Sequence, residues 1–102
     1  MSVDTKIESN EKVLVAMQPP KLWKVVLLND DKTPMEFVIE VLTTIFKHNE
    51  DRSKELTLEI HNTGSAVVGV YSFEVAEQKG LETTHIARAN GFPLQVNIEE
   101  EQ

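Results

Sequence analysis

Hydrophobic spacing changes abruptly within one short stretch of this chain, and that change constrains the fold more than any other feature. Leu22 to Leu28, LWKVVLL, is a compact run rich in Val and Leu, the pattern of a strand. Beyond the polar link NDDKT, the residues Met35, Val38, Ile39, Leu42, Ile45 and Phe46 recur at three- and four-residue steps. That period predicts a helix from Pro34 to about Lys47. A strand passing so directly into an amphipathic helix lays the helix's apolar stripe over a sheet. The link itself has helix-start chemistry. Thr33 is placed as N-cap, Pro34 at the first helical position and Glu36 as the partner in a capping box. Asn29, Asp30 and Asp31 are turn formers, because such short side chains bond nearby backbone N–H groups. A turn alone does not require Asn-Asp-Asp.

Glu50 to about Asn62 reads as a second helix, with Leu56, Thr57 and Ile60 on one face and Gly64 placed for a left-handed C-terminal cap. Ala66 to Tyr71 reads as a second strand. Ser72 is placed to cap a third helix that runs to about Asn90 and closes at Gly91. Gly80 inside that helix is expected to weaken it by roughly 1 kcal/mol relative to Ala. Pro93 to Ile98 reads as the last strand. The order β-α-α-β-α-β, with strands on one side of a core and helices on the other, predicts an α+β fold. Residues 1–20 are polar, mixed in charge and end in MQPP; they are expected to form a flexible N-terminal tail. Residues 21–102 then form one domain.

Composition narrows the function classes. A chain of 102 residues holds one modest core. No stretch is long and apolar enough to span a bilayer, and no secretory leader is visible. With no cysteine, disulfide and thiol chemistry are excluded, and a reducing compartment is compatible. The formal net charge of −7 and the lack of a dense Lys/Arg cluster argue against nucleic-acid binding. Enzyme chemistry finds little support. There is no glycine-rich phosphate loop, and His48, His61 and His85 lack zinc spacing. His48 and His85 read as solvated helix residues. Asp30 and Asp31 are adjacent, a poor arrangement for a general acid and base. NDDKTPMEF lacks the alternating acceptors and distal Glu of a calcium loop. No metal or cofactor is expected.

NDDKTPMEFVIEVL, Asn29 to Leu42, resembles the signature of the ClpS family, adaptors of the ATP-dependent Clp protease that recognise N-degrons. KVVLLNDD, GVYSFEVAEQK and FPL fall in the family's order, and LEIHNTG takes the place of its helix-ending histidine segment. The likeness covers about Pro20 to Ile98. It implies a three-stranded antiparallel sheet packed against three helices. It also implies a non-catalytic role. Such an adaptor binds a substrate protein whose free N-terminal residue is large and apolar: Phe, Tyr, Trp or Leu. It then hands that substrate to the hexameric AAA+ unfoldase ClpA, which feeds ClpP. The resemblance implies a bacterial, cytoplasmic monomer that needs no cofactor.

The family's α-amino-binding positions map onto Asn29, Asp30 and His61. The chemistry suits an ammonium with three N–H donors. Asn offers a carbonyl oxygen, Asp a carboxylate, and a neutral imidazole one further acceptor. Met35, Val38, Ile60 and Leu94 match side-chain pocket positions, with Thr33 at the rim; each also fits plain core packing. Asp31 either contacts the first peptide group of the substrate or only stabilises the turn. Glu74 and Lys79 match positions facing the unfoldase's N-terminal domain, although a solvated helix face reads the same way. The tail is implied to engage the unfoldase during handover. Thr57 stands where family members commonly carry a methionine that walls the pocket, and its hydroxyl can bond the Ser53 carbonyl four residues back. Two other classes fit parts of the sequence. One is a non-proteolytic interaction module of the same fold, such as the ribosomal stalk protein's C-terminal domain. The other is a small hydrolase using Asp30 and His61.

Overall fold

The computed structural model describes residues 19–102, so the expected tail lies outside the described residues apart from Pro19 and Pro20. Six elements follow in order: β1 (Trp23–Leu28), α1 (Met35–Thr44), α2 (Glu50–Thr63), β2 (Ser65–Tyr71), α3 (Phe73–Ala89) and β3 (Gln95–Glu100). The strands form one antiparallel sheet in the order β2-β1-β3. The α+β class and the β-α-α-β-α-β order are those expected from the sequence.

The most apolar strand lies in the middle. Val25 and Leu27 of β1 are fully buried and join the core formed with the helices. Across the sheet they face Ile98 and Val96 of β3. Each core side chain of this kind contributes roughly 1.5–3 kcal/mol of burial. Val67 and Val70 of β2 are exposed, so one sheet face is solvated. The three helices bury Val38, Val41 and Leu42 of α1, Leu56, Thr57 and Ile60 of α2, and the small residues Ala76, Gly80, Thr83 and Ala87 of α3. Small residues let α3 sit close to the sheet. A Cβ added at Gly80 would stand 3.0 Å from Ile98 Cδ1, so the glycine expected only to weaken the helix serves its approach to β3.

Three local expectations are corrected. The Thr33–Glu36 capping box is absent. Helix α1 begins at Met35, with Pro34 at the N-cap position (φ −67, ψ 146) and no side-chain cap bond. Pro34 O instead accepts from Phe37 N and Val38 N at 3.1 and 3.2 Å. The helix start leaves Thr33 one residue before the N-cap, and its hydroxyl donates back to Asp30 instead. The second correction concerns His48. Helix α1 stops at Thr44, Lys47 turns the chain at φ 62, and His48 is half-buried outside any helix. Strand β2 bulges where Val25 pairs with Gly69 and Val26 with Val67, which leaves Val68 between them. His48 Nε2 lies 2.6 Å from Val68 O, so that nitrogen carries the proton and satisfies the bulged carbonyl. His85 is exposed on α3, as read. Third, β3 starts at Gln95 rather than Pro93, because the carbonyls of Phe92 and Leu94 are turned toward Arg88.

Helix α2 matches its reading closely. Gly64 takes φ 98 as C-cap and its N–H reaches Ile60 O. Its N-cap was not foreseen: Asn49 Oδ1 accepts from Arg52 N at 2.7 Å. Ser72 occupies the N-cap position of α3 without a side-chain bond.

Candidate functional site

Strand pairing itself assembles the polar cluster. Leu28, the last residue of β1, lies between Ser65 of β2 and Gln95 of β3. The residues entering those two strands, Gly64 and Leu94, therefore flank Asn29. Asn29 N donates to Gly64 O at 2.8 Å, and Gly64 N donates to Ile60 O at 2.9 Å. Two hydrogen bonds thus dock the last turn of α2, which holds His61, beside the turn that follows β1. Asn29 and His61 are both exposed. The structure brings together the two places that sequence separates by some thirty residues.

Asp30 organises the turn. Its Oδ1 accepts from Lys32 N and Thr33 N, both at 2.8 Å, and its Oδ2 accepts from the Thr33 hydroxyl at 2.7 Å. Burial pushes this carboxyl upward, but the Thr33 hydroxyl, the Thr33 and Lys32 N–H groups and the Arg88 charge outweigh it and hold the pKa below its ordinary value. These side-chain bonds of the turn belong to Asp30, while Asp31 is exposed beside it.

The apolar set is unevenly placed. Val38, Thr57, Ile60 and Leu94 are buried, whereas Met35 is 39% exposed and offers free apolar surface. The Thr57 hydroxyl donates to Ser53 O at 2.8 Å, as its position suggested. A hollow of about 230 Å³ lies elsewhere, between α3 and β3, lined by Glu77, Gly80, Leu81, Thr84, Val96 and Ile98. None of those belongs to the set.

Glu74 is exposed in the first turn of α3. Lys79 is not a free surface cation. Its Nζ donates to Ile45 O at 2.8 Å and lies 5.9 and 5.4 Å from the Phe46 and Tyr71 ring centres. The last turn of α1 has no basic residue, so α3 supplies the cation that complements its carbonyl end.

Sequence reading missed Arg88 altogether. Its Nη1 donates to Phe92 O and Leu94 O, both at 2.9 Å. The available signal was a basic residue in the last turn of a helix, followed by FPL. Phe92 in turn meets Phe37 of α1 edge-on, with ring centres 4.9 Å apart. Among the described residues, no group of three or more acidic or histidine side chains could hold a metal ion, and no helix is long and apolar enough to cross a membrane.

A small α+β domain with acceptors gathered at one end of its central strand has the form of a binding module. The family model described as ATP-dependent Clp protease adaptor protein ClpS matches residues 18–97. The chain is 43% identical over 97 residues to the ATP-dependent Clp protease adapter protein ClpS of Sodalis glossinidius, covering 95% of this chain and 92% of that one. It is 45% identical over 101 residues to the protein of the same name from Nautilia profundicola, covering 98% and 99%. Among solved structures, that of Agrobacterium tumefaciens ClpS2 bound to L-phenylalaninamide superposes with a TM-score of 0.79 at 46% identity. The match covers 81% of this chain and 100% of that one. This chain belongs to the ClpS family of Clp protease adaptors. Its role is that of an adaptor, not an enzyme.

Proposed function

We propose that this protein binds the free N-terminal residue of N-degron substrates when that residue is Phe, Tyr, Trp or Leu, and delivers them to the ClpA unfoldase for degradation by ClpP. The observation that carries the reading is the meeting of Asn29, Asp30 and the His61 turn at the end of β1. The solved relative with L-phenylalaninamide, an N-terminal residue with a free amine, supports it. In this reading Asn29, Asp30 and His61 accept from the ammonium. Met35, Val38, Thr57, Ile60 and Leu94 receive the side chain, with Thr33 and Asp31 at the rim. Residues 21–102 are the adaptor domain, Glu74 and Lys79 contact the N-terminal domain of ClpA, and residues 1–20 engage the unfoldase during handover. The protein works as a cytoplasmic monomer in a bacterium.

The test is a titration with two peptides that begin with Phe, one free and one acetylated at the α-amino group. Acetylation removes the charge and leaves one N–H where there were three. Charge-assisted hydrogen bonds are worth about 1.5–3 kcal/mol each, so losing two predicts a drop in affinity of more than about 100-fold. Equal affinity for the two peptides refutes the reading.

A further inference from the structure

Arg88, in the last turn of α3, is a charged side chain that reaches the link before β3. The two hydrogens of its Nη1 have different targets, the carbonyls of Phe92 and Leu94. Those carbonyls bracket Pro93, which has no N–H of its own to fix the link. Leu94 is 1% exposed, and Phe92 packs on Phe37 of α1. A single guanidinium therefore holds the backbone on both sides of Pro93, the link that carries buried Leu94 and the Phe92 ring packed on α1.

We infer that Arg88 is a positioning residue for recognition of the N-terminal side chain: it clamps the Phe92–Leu94 link so that Leu94 forms a fixed wall of the side-chain pocket. The inference rests on the proposed reading of Leu94 as a pocket residue. It assigns Arg88 no contact with the ligand. The same charge also acts on Asp30, behind burial and the Thr33 and Lys32 hydrogen bonds, in the direction that keeps the carboxylate ionised. Lysine is a poor substitute, since an ammonium on a flexible stem lacks the planar, pre-oriented pair of N–H groups.

The experiment measures Kd for L-phenylalaninamide and L-alaninamide by NMR titration of the full chain. The quantity read is the ratio of the two Kd values, which reports side-chain discrimination. Arg88→Gln is expected to lower that ratio about threefold to tenfold, allowing for the partial exposure of the clamp. Arg88→Lys is expected to lower it less. Arg52→Gln, which removes an exposed pair with Glu55 on α2, is expected to leave it unchanged. General destabilisation weakens both ligands together and does not move the ratio. An unchanged ratio in Arg88→Gln overturns the inference. A second measurement does not depend on the variants folding. In the unaltered protein the Arg88 guanidinium N–H signals should exchange slowly and should shift with L-phenylalaninamide more than with L-alaninamide. Signals that exchange like free arginine overturn the clamp. If neither amide binds the unaltered protein, the recognition reading falls and this inference falls with it.

Discussion

Replacing Gly64 with alanine tests the join on which the whole site depends. Gly64 has φ 98 and ψ −21, and a Cβ added there meets nothing within 4 Å. The substitution therefore creates no clash with neighbours, and its cost is entirely one of backbone conformation. Holding an L residue in the left-handed region costs about 1–2 kcal/mol. Alanine restricts the unfolded chain more than glycine does, which offsets about 0.4–1 kcal/mol. The net expectation is a loss of about 1 kcal/mol, or roughly 4–8 °C in Tm for a domain of this size. Asparagine tolerates the left-handed region better, so Gly64→Asn should lose less than Gly64→Ala. Urea unfolding followed by Trp23 fluorescence measures both. Ligand affinity adds a second reading. Gly64 accepts from Asn29 N and donates to Ile60 O, so relaxation of its φ pulls on both bonds that dock the His61 turn. L-Phenylalaninamide should bind Gly64→Ala more weakly than the parent at temperatures where both are fully folded. If Gly64→Ala is as stable as the parent, or Gly64→Asn is worse than Gly64→Ala, conformational cost does not explain this glycine.

Lys79→Met keeps the apolar stem and removes the donor to Ile45 O, so it should cost about 1 kcal/mol in urea unfolding, while Glu74→Gln costs nothing measurable. Weaker unfoldase binding by a Lys79 variant is then evidence of a direct contact only after that loss is subtracted. Asp30 has a folded pKa below its unfolded one, so its contribution to stability is full above the unfolded value of about 3.9 and fades as pH falls through the folded value. Acid titration of unfolding free energy should be steeper for the parent than for Asp30→Asn below about pH 4; parallel curves would remove Asp30 from the acid response. Thr57, shorter than methionine, should leave Leu at residue one at a disadvantage to Phe, Tyr and Trp, and should loosen the exclusion of Ile and Val. Identical rankings of these six peptides by the parent and Thr57→Met would show that Thr57 does not shape specificity.

What was legible in the sequence was whatever depends on near neighbours. The stripe from Met35 to Phe46 and the Gly64 cap are encoded within a few residues of where they act. The β-α-α-β-α-β order follows from such signals alone. The errors arise where a residue's partner is far away or where two local partners compete. Thr33 looked like a helix cap, but the helix starts one residue later and the Thr33 hydroxyl turns back to Asp30, three residues earlier. His48 looked solvated because nothing in its own segment announces a bulge at Val68, twenty residues on. Lys79 looked like a surface cation because its acceptor, Ile45 O, lies 34 residues away. Family likeness pointed to Asn29, Asp30 and His61, and strand pairing places their two segments side by side. The Arg88 bonds were not legible, since they go to two backbone carbonyls that no side-chain pattern marks.

The Asn29-Asp30 pair, which a turn alone does not demand, fits a count of acceptors. An ionised carboxylate has about four acceptor sites, and three of those on Asp30 are already filled by Lys32 N, Thr33 N and the Thr33 hydroxyl. A bound ammonium brings three donors, so Asp30 alone satisfies only one of them. In the proposed reading Asn29 and His61 supply the other two, one from each side of the Gly64 join. The bonds that occupy Asp30 also aim it. A carboxylate held in place beforehand loses little freedom when the ligand arrives, and the same bonds favour its ionised form. Asp30→Asn separates the two duties. The amide oxygen can still accept from Lys32 N and Thr33 N, and the amide nitrogen can donate to the Thr33 hydroxyl, so the turn survives. The acceptor aimed at the ammonium becomes a donor. Fold and recognition meet in this side chain, and a neutral isostere should preserve the first while abolishing the second.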